Sequence, residues 1–123
     1  PVWEYLTTTG TAQENFSFFK SPFCLVGHTH VPLAFSYDES GHCSYLQFLT
    51  DVRLALGKNR LIINPGSVGQ PRNSDPWASY ALYDNETRLV RLYRVTYDIP
   101  STQNKMVQYG LPMRLVDRLS HGR

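Results

Sequence analysis

The feature that most constrains the fold is a short apolar run, Phe23–Val26, bounded by a proline and a glycine. A run of this length between such breakers favours a buried β-strand. His28 and His30 follow the run almost directly. Because residues two apart point to the same face of an extended backbone, both imidazoles are predicted to point into one space at the strand's C-terminal edge.

Imidazole is a good ligand for first-row divalent metals, so this histidine pair is a candidate metal site. Structural or surface histidines are also common, and two imidazoles do not complete a metal site. Thr29 is expected to point the opposite way and to lock the turn. The acidic residues fall mostly in predicted turns or helices, without a ligand-like spacing to the histidines. Since a two-metal hydrolase needs carboxylates to hold its ions, this chain alone is not expected to build a complete site.

A second motif, Asn64–Arg72, reads NPGSVGQPR and must form a loop because its prolines and glycines interrupt any strand ladder. One interpretation is a plain surface turn. The other is an anion site made by exposed backbone N–H groups, the Ser67 hydroxyl and the Arg72 guanidinium. Arginine suits phosphate because its planar fork donates two hydrogen bonds at once.

The remaining sequence predicts a mixture of helices and strand pairs. Residues 3–19 are expected to be helical, with Thr11 as a cap and Glu14 as its capping-box partner. Two helices are predicted at the C-terminus, starting at Pro100 and Pro112. Three strand pairs are predicted around turn sequences: 33–37 with 43–49, 52–56 with 61–63, and 77–84 with 88–97.

The composition is that of an ordinary globular domain: 123 residues, 41% hydrophobic and 18% charged, with a net charge of +2. This charge is too small to indicate nucleic acid or a membrane surface as a partner. No apolar run approaches the roughly 20 residues that cross a bilayer. The two cysteines, Cys24 and Cys43, are interpreted as buried free thiols in a reducing compartment, which predicts a cytoplasmic location.

The chain begins with Pro1 and not with methionine, so either an initiator was removed or the chain starts within a larger protein. Its first residues have neither the basic start nor the apolar core of a signal peptide. The C-terminal end has the pattern of a finished protein end.

Taken together, the two motifs resemble the calcineurin-like metallophosphoesterase family, and most closely its small bacterial and archaeal phosphodiesterase branch. Residues 78–84 and the paired C-terminal helices are also similar to that branch. The resemblance covers nearly the whole chain but only the second half of the family domain. It implies an α/β (α+β) fold: the C-terminal half of a four-layer α/β/β/α sandwich, mostly one β-sheet with flanking helices. Residues 1–123 would then form a single partial domain.

The resemblance also implies roles for individual residues. His28 would bind the second and His30 the first of two divalent ions, which are Mn, Fe, Zn or Ni. Asn64, Ser67 and Arg72 would border the substrate.

The family's earlier motifs, Asp-x-His, Gly-Asp-x-x-Asp, Gly-Asn-His-Asp and His-Gly, do not occur here. They carry the remaining ligands and the general-acid histidine. No catalytic residue is therefore expected in this chain, and its metal site is expected to be partly occupied or empty. Residues 1–5 are similar to the sequence that follows the absent His-Gly.

The leading hypothesis is therefore a C-terminal fragment of a phosphoesterase that acts on phosphomonoesters or phosphodiesters and is inactive alone. The alternative is a non-catalytic protein-binding scaffold of the same fold. A half-domain with an uncovered sheet exposes apolar surface and strand edges, which predicts self-association. A third possibility is an unrelated β-rich domain that carries both motifs by chance.

Overall fold

Seven strands divide between two sheets in the computed structural model, which describes residues 4–123. The first sheet has the strand order β1-β5-β2-β3 and the second has the order β4-β7-β6. The predicted α+β class is confirmed, although the strands are shared between two sheets and do not lie mostly in one. The strands are β1 (Phe23–Leu25), β2 (Pro32–Tyr37), β3 (Cys43–Leu46), β4 (Arg53–Ala55), β5 (Arg60–Pro65), β6 (Ala78–Asp84) and β7 (Leu89–Val95).

The helices lie at the two ends of the described chain. They are α1 (Thr9–Phe16), α2 (Ile99–Gln108) and α3 (Met113–Asp117), with a 3-10 turn at Arg118–His121. The two C-terminal helices begin within one residue of the predicted prolines. No helix within residues 4–123 has the length and apolarity to cross a membrane.

Helix α1 is shorter than the predicted helical segment, whose first residue lies outside the described residues. Its N-cap is Thr8, so the prediction of Thr11 as the cap is wrong. The Thr8 side chain accepts a hydrogen bond from the Thr11 N–H at 3.2 Å. The Thr11 side chain closes the reciprocal bond of the capping box, so Glu14 takes no part in it.

The first sheet has a hydrophobic core on each face, because alternate residues of its strands point in opposite directions. Ile63 and Ala34 join Leu54 and Leu92 in the core between the two sheets. The opposite face packs against α1, where Ile62, Phe35 and Phe16 form a second core with three smaller neighbours. Helix α1, the first sheet and the second sheet therefore lie in three successive layers.

Two of the three predicted strand pairs form: β2 with β3, and β6 with β7. The predicted pairing of residues 52–56 with 61–63 is wrong. Leu54 of β4 lies opposite Val90 of β7, whereas β5 lies between β1 and β2. The reason is that β4 belongs to the second sheet and contributes Leu54 to the core between the sheets, facing β5 across that core.

Strand β1 lies at an edge of the first sheet and is only partly buried, in contrast to the predicted buried strand. It pairs with β5 alone, in parallel, and Leu25 is 61% exposed. The parallel pairing has a consequence for function. Strands β1 and β5 end at the same edge of the sheet, and antiparallel β2 begins there. The two sequence motifs follow β1 and β5, so the fold brings them together.

Candidate metal and anion site

The loop that carries the histidines, residues 26–31, is strained. His28 and His30 have backbone φ angles of +74° and +61°. The Thr29 N–H donates to the Gly27 carbonyl at 2.9 Å and closes a turn around His28. The prediction of an extended backbone here is therefore wrong. Histidine is among the residues that are enriched at positive φ. Each such residue costs about 1–3 kcal/mol, so neighbouring groups must hold the loop.

Asn64 holds this histidine loop from the neighbouring strand. Its side chain is fully buried, and its Nδ2 donates to the Gly27 carbonyl at 2.9 Å and to Thr29 Oγ1 at 2.8 Å. Its Oδ1 accepts a hydrogen bond from the Gly66 N–H at 2.9 Å. Both polar atoms of the amide are thus engaged within the protein. That Asn64 borders a substrate stays a prediction. Any effect of Asn64 on substrate binding would act through the two loops that its side chain connects.

Thr29 is buried, as expected of the residue that locks the turn. Besides the bond from Asn64, its hydroxyl oxygen accepts one from the Val31 N–H at 3.3 Å. The side chain between the two histidines therefore fixes the loop from inside.

His30 connects the two motifs directly. Its Nδ1 lies 2.8 Å from the Gln70 carbonyl oxygen, and its own carbonyl accepts from the Arg72 N–H at 3.2 Å. A carbonyl only accepts, so Nδ1 carries the hydrogen and the neutral ring keeps its Nε2 lone pair free. Metal-binding histidines commonly make this bond, which fixes their tautomer and their direction.

His28 is exposed, and its ring stacks on Tyr5 with 4.2 Å between centroids and 28° between planes. The stack restricts the orientation of the imidazole, since aromatic pairs favour a small set of geometries. Sequence reasoning missed Tyr5, because no spacing or motif connects it to the histidine loop.

The predicted loop 64–72 begins two residues later than expected, because Asn64 and Pro65 are the last residues of β5 and pair with β2. The rest of the segment, the second loop, brings Ser67 and Arg72 to the same edge of the sheet. Ser67 Oγ accepts from the Gln70 N–H at 2.9 Å and therefore keeps its hydroxyl hydrogen. Arg72 donates from Nη2 to the Gln70 side chain at 3.0 Å, whereas its buried Nε has no partner among residues 4–123. Ser67 thus keeps one donor without a partner among residues 4–123, whereas the unpaired Nε of Arg72 is buried.

Close packing fixes this second loop against the start of β2. Gly66 has a φ of +85°, and a Cβ there would lie 2.9 Å from Ser79 Oγ and 3.1 Å from the Pro32 ring. Ser79 also donates its hydroxyl to the Pro65 carbonyl. Only glycine fits this position without strain.

The donor set fits a metal ion in part. His30 is oriented as a metal ligand is, but residues 4–123 contain no group of three or more histidine, cysteine, aspartate or glutamate side chains that could hold an ion. Carboxylates are the missing component. Within the described part of the chain, therefore, the candidate site consists of two imidazoles beside the loop that carries Ser67 and Arg72.

A known structure shares this arrangement of elements. The crystal structure of a metallophosphoesterase from Sphaerobacter thermophilus matches 98% of this chain and 50% of its own, with a TM-score of 0.91 and 44% identity. The resemblance to the metallophosphoesterases is confirmed. The match is consistent with the C-terminal half of a calcineurin-like metallophosphoesterase.

Two further relatives extend the comparison. An uncharacterized protein of Methanocaldococcus jannaschii is 35% identical over 123 residues, which are 99% of this chain and 47% of that protein. A hypothetical protein from Pyrococcus horikoshii shares the fold, with a TM-score of 0.60 and 21% identity over 96% of this chain and 39% of its own. No protein-family profile matches the chain. The chain spans about half the length of the Methanocaldococcus and Sphaerobacter proteins.

Proposed function

We propose that residues 1–123 are a single partial domain, the C-terminal part of a metallophosphoesterase that hydrolyses phosphomonoesters or phosphodiesters. One observation carries the proposal. The bond from His30 Nδ1 to the Gln70 carbonyl joins a candidate metal ligand to the loop that carries the candidate anion-binding residues Ser67 and Arg72. A metal-dependent phosphoesterase needs these two functions side by side.

Each residue of the site has a distinct part in the proposal. His28 and His30 each bind one of two divalent ions, which are Mn, Fe, Zn or Ni, and these ions polarise the ester when bound. Ser67 and Arg72 donate to the phosphate oxygens, for which a guanidinium is well suited. The remaining ligands and the general acid come from outside this chain, so the chain alone is inactive.

A cytoplasmic location and self-association also belong to the proposal. Cys24 and Cys43 are both free, which is typical of a reducing compartment. Strand β1 presents an unpaired edge within residues 4–123, and unprotected strand edges tend to pair with other chains.

Metal binding and hydrolysis test the proposal together. Metal content after incubation with Mn²⁺ or Zn²⁺ is measured for the wild type, His28→Ala and His30→Ala. His42→Ala is the matched control, because His42 is an exposed histidine in the β2–β3 turn. We expect weak metal binding that both loop substitutions remove and the control retains. Hydrolysis of bis-p-nitrophenyl phosphate with added Mn²⁺ should not exceed the protein-free blank.

Three results would contradict parts of this proposal. Hydrolysis at an ordinary enzymatic rate by this chain alone would refute its incompleteness. Metal binding that survives both loop substitutions would refute the ligand roles of His28 and His30. A wild type that binds no metal but forms a defined oligomer would favour the non-catalytic scaffold.

A further inference from the structure

The buried amide of Asn64 is the only side chain among residues 4–123 that hydrogen-bonds both to the histidine loop and to the loop after β5. It is fully buried, so solvent does not compete for its bonds. The groups it binds, the Gly27 carbonyl and the Thr29 hydroxyl, lie immediately on either side of His28. Its contacts therefore define where the strained turn begins and ends.

The strain explains why such a residue is needed. Two non-glycine residues at positive φ, close together in one loop, would relax toward commoner conformations if nothing opposed them. A relaxed loop would turn both imidazoles, because side-chain direction follows the backbone. The amide opposes this with two donated bonds, and unsatisfied buried donors are costly, which makes the arrangement resist opening.

We propose that Asn64 is a positioning residue that holds His28 and His30 in their left-handed backbone conformation and so fixes the direction in which each imidazole meets its ligand. The effect acts through Gly27 and Thr29, and Asn64 itself touches no ligand. The inference rests on the proposed function only in taking these ligands to be divalent metal ions.

The test compares paired substitutions with a readout that needs no metal. Thr29→Val keeps the side-chain shape but removes the hydroxyl that accepts bonds from Asn64 and from the Val31 N–H, whereas Thr29→Ser retains the hydroxyl. Asn64→Asp removes both N–H donors, and Asn85→Asp in the exposed β6–β7 turn is its control. Backbone NMR shifts and HN–Hα couplings of His28 and His30 report their φ angles, and calorimetry with Zn²⁺ alone reports affinity.

We expect Thr29→Val and Asn64→Asp to change the His28 and His30 signals and to weaken zinc binding about 10- to 100-fold, the usual effect of losing a residue that orients a ligand. Thr29→Ser and Asn85→Asp should leave both readouts as in the wild type. Val90→Ala, which weakens the core between the two sheets, is the control for general loss of stability and should not change the histidine signals.

Unchanged histidine signals in folded Thr29→Val would overturn the inference, and so would equal effects of Thr29→Val and Thr29→Ser. If Asn64→Asp fails to fold, the Thr29 pair still decides. If the wild type binds no zinc, the proposed metal role fails, while the NMR comparison alone supports or refutes the positioning role.

Discussion

At the scale of single residues, the site is held by backbone conformations that few side chains tolerate. His28 and His30 occupy the left-handed region in one loop, and Gly66 occupies it in the other. Hydrogen bonds from Asn64 and close packing against Pro32 fix the positions of the two loops relative to each other. Stability and site geometry are therefore coupled at these positions.

Gly66→Ala tests this coupling. A methyl group there would meet Ser79 Oγ and the Pro32 ring, at a φ that alanine rarely adopts, so we expect a loss of about 1–3 kcal/mol. Gly69→Ala is the matched control on the same loop, because its Cβ would meet nothing within 4 Å. Urea unfolding measures both, and equal stability of the two variants would show that the packing is not restrictive.

The two cysteines are expected to differ in reactivity. Burial raises the pKa of the Cys43 thiol, so at a given pH less of it is the reactive thiolate, and its side chain is only 6% exposed. Cys24, which is half-buried, should be alkylated first by iodoacetamide at pH 8, with the modified site identified by mass spectrometry. Both should react alike in denaturant, and faster labelling of Cys43 in the native protein would contradict the burial argument.

The sequence indicates which residues are candidates for the site, but it does not indicate how the fold holds them. The two histidines and the second motif are recognisable as patterns. The left-handed turn is not, because the bonds that stabilise it come from Asn64, a residue distant in the chain whose burial depends on the whole sheet. The role of Tyr5 cannot be predicted from the sequence for the same reason, since only the folded chain brings Tyr5 to His28.

At the scale of elements, local signals predict local pairings. The β2–β3 hairpin follows from a turn in which Asp38 Oδ1 accepts bonds from Ser40 and His42, as a short polar side chain commonly does. The 57–59 segment looks like an equally good turn. It instead leads from the second sheet to the first. The partner of each strand depends on which core its apolar side chains enter, and a local sequence pattern does not indicate which core that is.

The exposed edge of β1 gives a test of self-association. Leu25→Lys places a charge on this edge, a substitution that disfavours pairing with another strand, and should shift the protein toward monomer. Leu111→Lys, at an exposed position outside any strand, is the control and should have no such effect. Analytical ultracentrifugation over a concentration series measures both. A wild type that stays monomeric throughout would refute the self-association proposal.

At the scale of the whole molecule, one sheet serves both hydrophobic cores, so the two cores are expected to unfold together. Ile62 and Ile63 are neighbours in β5 and point into opposite cores. Ile62→Val and Ile63→Val should each cost about 0.5–1.5 kcal/mol and lower the midpoint of a single thermal transition. Circular dichroism and tyrosine fluorescence should give the same midpoint. Separate transitions by the two probes would show that the cores are independent.

The parallel pairing of β1 with β5 also determines when the site can form. The hairpin of β2 and β3 closes over a short loop, but the hydrogen bonds of the histidine loop to Asn64, Gln70 and Arg72 need residues that follow β2, β3, β4 and most of β5. Contacts between distant parts of a chain are slow to form, because the entropy of closing the intervening loop is lost first. During synthesis the two histidines leave the ribosome well before these partners, so the corner of the molecule that carries the candidate site cannot become ordered until residues 64–72 have followed.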